Sequence, residues 1–419
     1  MMEELGYRPY GSYKDSHASW LGEVPSDWQV GPGRICIYEN RDKNTGMKES
    51  TVLSLSYGRV IVKDEDKMTG LVPESYETYQ IVQPGDIIIR GTDLQNDVTS
   101  LRTGLAKDHG IITSAYINLR PKPNAYAEFL HYLLHSYDVK KVFYGLGSGL
   151  RQNLSYVDFK YLTIPLPSLP EQRAIVAFLD DKCAKIEGAV KIKEDQIALL
   201  RERRQIIIQD AVTRGLNPAA PMKDSGIDWI GQIPAHWELK SIRYAFRFRN
   251  YQRVPISASD REGKQGEYPY YGASGIIDYV QDYIFDEDLI LIAEDGANLL
   301  SKSTPLAFVA TGKYWVNNHA HILEPLFPGF KYWAELLSAA DYTVYISGSA
   351  QPKLTRDRLG SVRVPVPPAD ERNAIISFIE QESDKFRNAI SIKERQIAAL
   401  KEYKTSLINA AVTGKIKVI

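Results

Sequence analysis

The 419 residues carry 51 Lys and Arg against 52 Asp and Glu, a net charge of −1, with 44% hydrophobic side chains. That size predicts two or three domains, and the balanced charge excludes a protein that coats nucleic acid through bulk basicity. Two cysteines, Cys36 and Cys183, exclude a disulfide framework or a cysteine zinc site; no apolar run is long enough for a membrane span, and without a leader pattern a cytoplasmic location is expected.

The first distinctive segment is 14–30, KDSHASWLGEVPSDWQV. Residues 31–163 then read as a mixed α+β globule. Thr51–Leu55 and Asp86–Arg90 are expected strands bounded by turn residues, and Tyr126–His135 is an expected short helix. The Gly145–Gly149 cluster lacks the strand–turn–helix context of a cofactor loop.

Pro165–Pro170 leads into Glu171–Val212, which has no Pro and one Gly, and Gly215 and Pro218 supply a stop. Such a helix spans about 60 Å. Val176, Cys183, Val190, Ile197, Arg204 and Ala211 recur at one heptad position, and Leu179, Ile186, Lys193, Leu200 and Ile207 at the other.

Residues 223–239, KDSGIDWIGQIPAHWEL, repeat 14–30 with seven of 17 positions identical. A second variable region, 240–363, follows. Its strip 241–264 holds Arg243, Arg247, Arg249, Arg253, Arg261 and Lys264 among aromatics and is expected to face phosphates. Asp288–Ile292 is an expected strand and Lys331–Ala339 an expected helix. The remainder repeats 164–213 at 364–413, with 20 of 50 positions identical. Its heptad positions are Ile376, Ser383, Ile390, Ile397, Lys404 and Ala411, then Ile379, Phe386, Lys393, Leu400 and Leu407.

The chain is therefore a duplication, variable–constant–variable–constant, and one scaffold presents two different surfaces. The expected division is 1–165, an N-terminal segment with the first recognition domain; 166–220, the first helix; 221–365, the second domain; and 366–419, the second helix. Because 210–237 follows the first helix and its twin 1–28 opens the chain, the two termini should lie close together. The heptads predict an intramolecular antiparallel coiled coil with Leu179, Ile186, Val190, Ile197, Leu200, Ile379, Phe386, Ile390, Ile397 and Leu400 in its seam. The alternative is two amphipathic helices, each packed on its own domain.

Catalytic signatures are missing. Pro367-Pro368 is followed by Ala369-Asp370, not by the aromatic of a base-gripping methyltransferase motif, and no phosphate-loop lysine or HExxH occurs. Any chemistry is expected in a partner.

Several elements in combination resemble the specificity subunits of type I restriction–modification systems. They are the twice-used Trp-x-Gly-x-x-Pro-x-x-Trp element, Pro170–Ile175 after the Pro-rich lead-in, the Gln-Ile-Ala-Leu-Leu helix core and the Ala-Val-Thr endings at 211–213 and 411–413. Tyr268–Ile276 with Ala293–Asn298 is similar to a frequent form of the family's target-recognition domain, a stretch that the first copy lacks over 51–100. The resemblance implies an α+β chain with two pseudo-two-fold-related target-recognition domains on two long helices. It implies a non-catalytic subunit of a DNA adenine methyltransferase and type I restriction endonuclease, reading a bipartite site in double-stranded DNA. Two methyltransferase subunits would dock and bind the methyl donor, so no cofactor is expected on this chain, and restriction or motor subunits would join them.

Loop residues after strands are the expected DNA contacts: Arg90, Thr92, Gln95, Arg102, Arg151 and Gln152 in the first domain, and Ser274, Asn298, Lys302, Asn317, Asn318, Gln351 and Lys353 in the second. The competing readings are a stand-alone nucleic-acid-binding adaptor without methyltransferase partners and an enzyme with an unrecognised site.

Overall fold

The computed structural model describes residues 6–63, 75–97, 99–146, 152–348 and 351–418. The chain forms two compact units, Met1–Lys193 with Arg395–Ile419, and Glu194–Glu394. Each unit holds one variable region together with part of each long helix.

In the first unit, short β-branched runs build a four-stranded antiparallel sheet in the order Ile37–Glu39, Ile117–Pro121, Ile87–Ile89, Thr103–Leu105. Ile87, Ile88 and Ile89 are all fully buried, because both faces of that strand are covered. One covering element is the helix Ala127–Val139, which presents Phe129, Leu130, Leu133 and Leu134 to the core. The second unit repeats the plan, with the order Phe246–Phe248, Ala320–Pro325, Leu289–Ala293, Ala307–Ala310 and a covering helix Phe330–Ala339. Trp333, Leu336 and Leu337 occupy the equivalent core.

Around this shared frame the units differ. The first carries two-stranded ribbons, Leu53–Ser56 with Arg59–Val62 and Gln80–Val82 with Gly110–Ile112. The second has instead a four-stranded sheet built on the hairpin Gln265–Gly272/Gly275–Val280, with the parallel pairing Tyr270↔Trp315. Divergence between the copies is thus concentrated outside the common sheet.

The long helices run Leu169–Arg214 and Ala369–Val412; the first extends the expected Glu171–Val212 by two residues at each end, and the second lies within the expected 366–419. Within the first unit Leu179, Cys183 and Ile186 share a core with Leu407, Ile408 and Ala411. Their polar heptad residues are used across the seam: Lys404 Nζ meets Glu187 Oε1 at 2.5 Å and Lys193 Nζ donates to Gln396 at 2.8 Å. As one residue number rises the partner's falls, so the packing is antiparallel. In the second unit Arg204 donates to Ser383 Oγ at 3.2 Å and Arg201 lies 4.0 Å from Glu394, in the same sense.

The seam is not uniform. Ile197, Ile379 and Phe386 are buried, whereas Val190, Leu200, Ile390, Ile397 and Leu400 are half-buried. Near its C-terminal end the first helix buries Ile208 and Val212 as well as Ala211, and the second buries Leu407, Ile408, Ala411 and Val412. There a helix face wider than a two-stranded seam is covered, because the helix ends pack on the globular frame. Both sequence-based readings therefore hold, each for a different stretch of the same helices.

The Trp segments cap these ends. Trp28 Nε1 donates to Glu171 at 3.1 Å, and Trp237 Nε1 donates to Glu371 at 2.9 Å. Gly414, at φ +71°, lies against Pro25 and Trp28 just as Gly215, at φ +73°, lies against Trp237. The two ends of the described chain meet: Lys417 N donates to Arg8 O at 2.7 Å in an antiparallel bridge.

Candidate nucleic-acid interface

The fully buried central strand of each sheet delivers the chain into a surface loop, residues 90–102 in the first unit and 294–306 in the second. A second loop, arriving after the covering helix, is pinned against it. In the first unit Leu154 N donates to Gly91 O at 2.7 Å and Asp93 N to Asn153 Oδ1 at 2.9 Å. In the second, Leu354 N donates to Glu294 O at 2.8 Å and Gly296 N to Pro352 O at 3.0 Å. The duplication thus places two loops side by side at the same point of each frame, with different sequences.

Most of the expected contact residues fall on these loops. Thr92 and Gln95 are exposed, Arg90 is partly exposed with its guanidinium 3.4 Å from Asp97, and Gln152 follows on the adjoining loop at φ +49°. In the second unit Asn318, Gln351 and Lys353 are exposed, and Lys353 Nζ stands 3.5 Å from Glu294. Ser274 sits exposed at the turn of the extra hairpin, whose strand Gln265–Gly272 leads through Tyr271 O to the backbone of Asn317 at 3.0 Å. Arg151 lies outside the described residues.

Three of the expected contacts are turned inward. Arg102 is fully buried, with its guanidinium donating to loop carbonyls, which corrects its reading as a DNA-facing side chain. Asn298 closes its own loop, accepting from Thr304 N at 3.1 Å and donating to Thr304 O at 3.2 Å. Asn317 is 6% exposed and its Oδ1 accepts from His319 N at 2.8 Å. Lys302 stays exposed, but its ammonium donates to Ala340 O at 2.9 Å, and partial burial holds its pKa below the usual lysine range.

The basic strip 241–264 also departs from expectation. Arg249 pairs with Glu324 and Glu287, Arg247 with Glu324, Arg253 with Glu294 and Arg261 with Asp278. Four of its six cations pair with carboxylates brought in from elsewhere in the chain, so the strip is not a row of unpaired charges. Arg243, exposed, donates to Gly360 O.

Sequence reading missed the charged cluster beneath the second loop pair. Glu294 receives Arg253 at 2.7 Å and lies 3.5 Å from His321. Burial would raise the Glu294 pKa, but the Arg253 hydrogen bond and the neighbouring His321 and Lys353 outweigh it and leave the carboxyl below its ordinary value. Burial keeps His321 below the usual histidine range. Beside them His319 Nδ1 lies 2.9 Å from both carboxylate oxygens of Asp295. Partners separated by 24 to 59 residues carry no local sequence signal; only the fold brings them together.

Among the described residues no group of three or more His, Cys, Asp or Glu is arranged to hold a metal, and no helix is long and apolar enough to cross a membrane. Residues 49–194 and 234–402 match the family described as type I restriction modification DNA specificity domain. The chain belongs to that family. It is 22% identical, over 95% of its own length and 96% of the relative's, to a putative type I restriction enzyme MjaX specificity subunit of Methanocaldococcus jannaschii. A putative specificity subunit, S.HindORF215P, of Haemophilus influenzae is 34% identical over 31% of this chain and 33% of its own.

Among solved structures, a chain from a study of assembly and conformational transition of the type I R-M system superposes with a TM-score of 0.65 at 16% identity, covering 93% of this chain and 98% of that one. The HsdS subunit from Thermoanaerobacter tengcongensis gives 0.50 at 16% identity, covering 97% and 100%. These likenesses carry the fold: two α+β domains joined by long helices. As a type I specificity subunit the chain is the non-catalytic member of its system.

Proposed function

We propose that this specificity subunit reads a bipartite site in double-stranded DNA, one half with the loops around 90–102 and 152–155, the other with the loops around 294–306 and 351–355. The supporting observation is the repeated juxtaposition of two loops at one place on one frame, with side chains that differ between copies. Thr92, Gln95 and Arg90 would meet one half-site, and Ser274, Asn318, Gln351 and Lys353 the other, where hydrogen bonds to base edges discriminate. Two methyltransferase subunits dock on the chain, bind the methyl donor and perform the transfer to adenine; restriction subunits join for cleavage. The work is done on cytoplasmic DNA.

The long helices act as the ruler between the half-sites, since a fixed helical length sets the number of unread base pairs. Co-purification of the chain with methyltransferase subunits, followed by methylation of a random duplex library, tests the reading. The expected product is methylation confined to two short specific elements separated by a fixed gap. Methylation of one uninterrupted element, or activity of the methyltransferase subunits unaltered by this chain, would overturn it.

A further inference from the structure

The loops assigned to reading have little regular structure, yet base discrimination requires them to hold one shape. In the first unit the shape is set from inside by Arg102. Its side chain is fully buried and all five N–H donors are engaged. Nη1 donates to the carbonyls of Arg90 and Thr92 at 3.2 and 2.8 Å, and Nη2 to those of Asp93 and Asp97 at 3.3 and 2.5 Å. Nε donates to the Tyr144 hydroxyl at 3.2 Å, which in turn donates to Asp97 O at 3.0 Å. One planar fork therefore gathers four carbonyls of a single loop, an arrangement a lysine's point charge cannot reproduce.

The second unit meets the same need from a different place in the sequence. Arg253, on the segment after the strand Phe246–Phe248, donates from Nη1 to Ala320 O at 2.8 Å, Asn318 O at 3.2 Å and Glu294 Oε2 at 2.7 Å. It ties the start of the 294–306 loop to the neighbouring 317–320 turn.

We propose that Arg102 and Arg253 are specificity-positioning residues, each holding the reading loops of its own domain in register so that losing one guanidinium relaxes recognition of one half-site only. The proposal rests on the bipartite-reading function above. Neither side chain need touch DNA: each acts through the loop backbone that carries Arg90, Thr92 and Gln95, or Asn318.

The test uses the full chain in complex with its methyltransferase subunits. Methylation rates are measured on the recognised site and on duplexes with a single base pair changed in one half or the other. Arg102→Lys is expected to lower discrimination at one half-site about tenfold, the order of a single base contact, and to leave the other half-site within about twofold. Arg253→Lys is expected to do the reverse. Tyr144→Phe, a milder change that keeps the ring, should weaken the same half-site as Arg102→Lys, and by less. The half-site left intact is the folding control within each molecule. Equal relaxation of both halves, or unchanged discrimination in all three variants, would overturn the proposal. If the unaltered complex methylates no two-part site at all, the functional reading fails first and takes this inference with it.

Discussion

At the residue scale, the side chains that fix the frame are those whose environments recur in both copies. Trp28 and Trp237 are each almost fully buried with the indole N–H on a glutamate of a long helix, and this pair was visible in the sequence as a spaced Trp-Gly-Pro-Trp element. The glycines that admit them are less symmetrical. A Cβ on Gly414 would fall 2.3 Å from Pro25 Cδ, whereas on Gly215 it would fall 3.0 Å from the Trp237 ring. Both have positive φ, so Ala is strained at either; the added clash at Gly414 should make Gly414→Ala the costlier change, by about 1–3 kcal/mol. Thermal melts of the two variants check the order, and equal losses would contradict it.

A titration tests a second residue. Burial holds His131 at a pKa of about 4, below the ordinary histidine value, with the neighbouring His135 as a smaller cause. A buried neutral base binds fewer protons than its unfolded form between those values. Its contribution is therefore complete above about pH 6.5 and is lost as pH falls toward 4, on the order of 3 kcal/mol. His131→Gln should flatten the decline in unfolding free energy between pH 6.5 and 4 relative to the parent; parallel pH curves would refute the assignment. No sequence pattern marks the burial of His131, which comes from the packing of its helix on the domain; of its charged neighbours, His135 lies one helical turn away, whereas Lys107 is distant in the chain.

At the element scale, the two long helices were legible almost to their ends, since Pro-rich starts, Gly stops and a heptad period are all local signals. What the period alone could not give is how burial is shared between the partner helix and the globular frame. Leu179 is fully buried in the core of the first unit and Val190 is only half-buried. Leu179→Ala should then cost about 2–5 kcal/mol and Val190→Ala less than about 1 kcal/mol, measured by denaturant unfolding. Comparable costs would mean that the seam is uniform after all. Inserting about four residues, one helical turn, near both Lys193 and Lys393 should lengthen the unread gap in the methylated site and leave both half-sites unchanged. Altered half-sites would show that the helices are not a ruler.

The loops were less legible. Thr92, Gln95, Gln351 and Lys353, picked from the sequence as loop residues, lie exposed on adjoining loops. Residue type, however, could not separate a presented side chain from a bracing one. Arg102 and Asn298 have the chemistry of base readers, yet the loop itself consumes their hydrogen-bonding groups. The basic strip departs from expectation for a related reason: Asp278, Glu287, Glu294 and Glu324, distant in sequence, pair with four of its six cations.

At the scale of the whole molecule, the duplication explains why the chain ends where it begins in space. The Arg8–Lys417 bridge places the termini where the second unit has a continuous linker at 215–221. A chain with joined termini, reopened within 217–220, is expected to fold and to support methylation of the same site. The decisive measurement is a domain exchange. Residues 242–361 are replaced by the corresponding segment of a specificity subunit with another target, and the methylated sites of cells carrying the hybrid and its methyltransferase partners are sequenced. One half of the site is expected to change, the other half to stay, and the gap between them to be kept. A hybrid that alters both halves, or neither, would contradict this expectation.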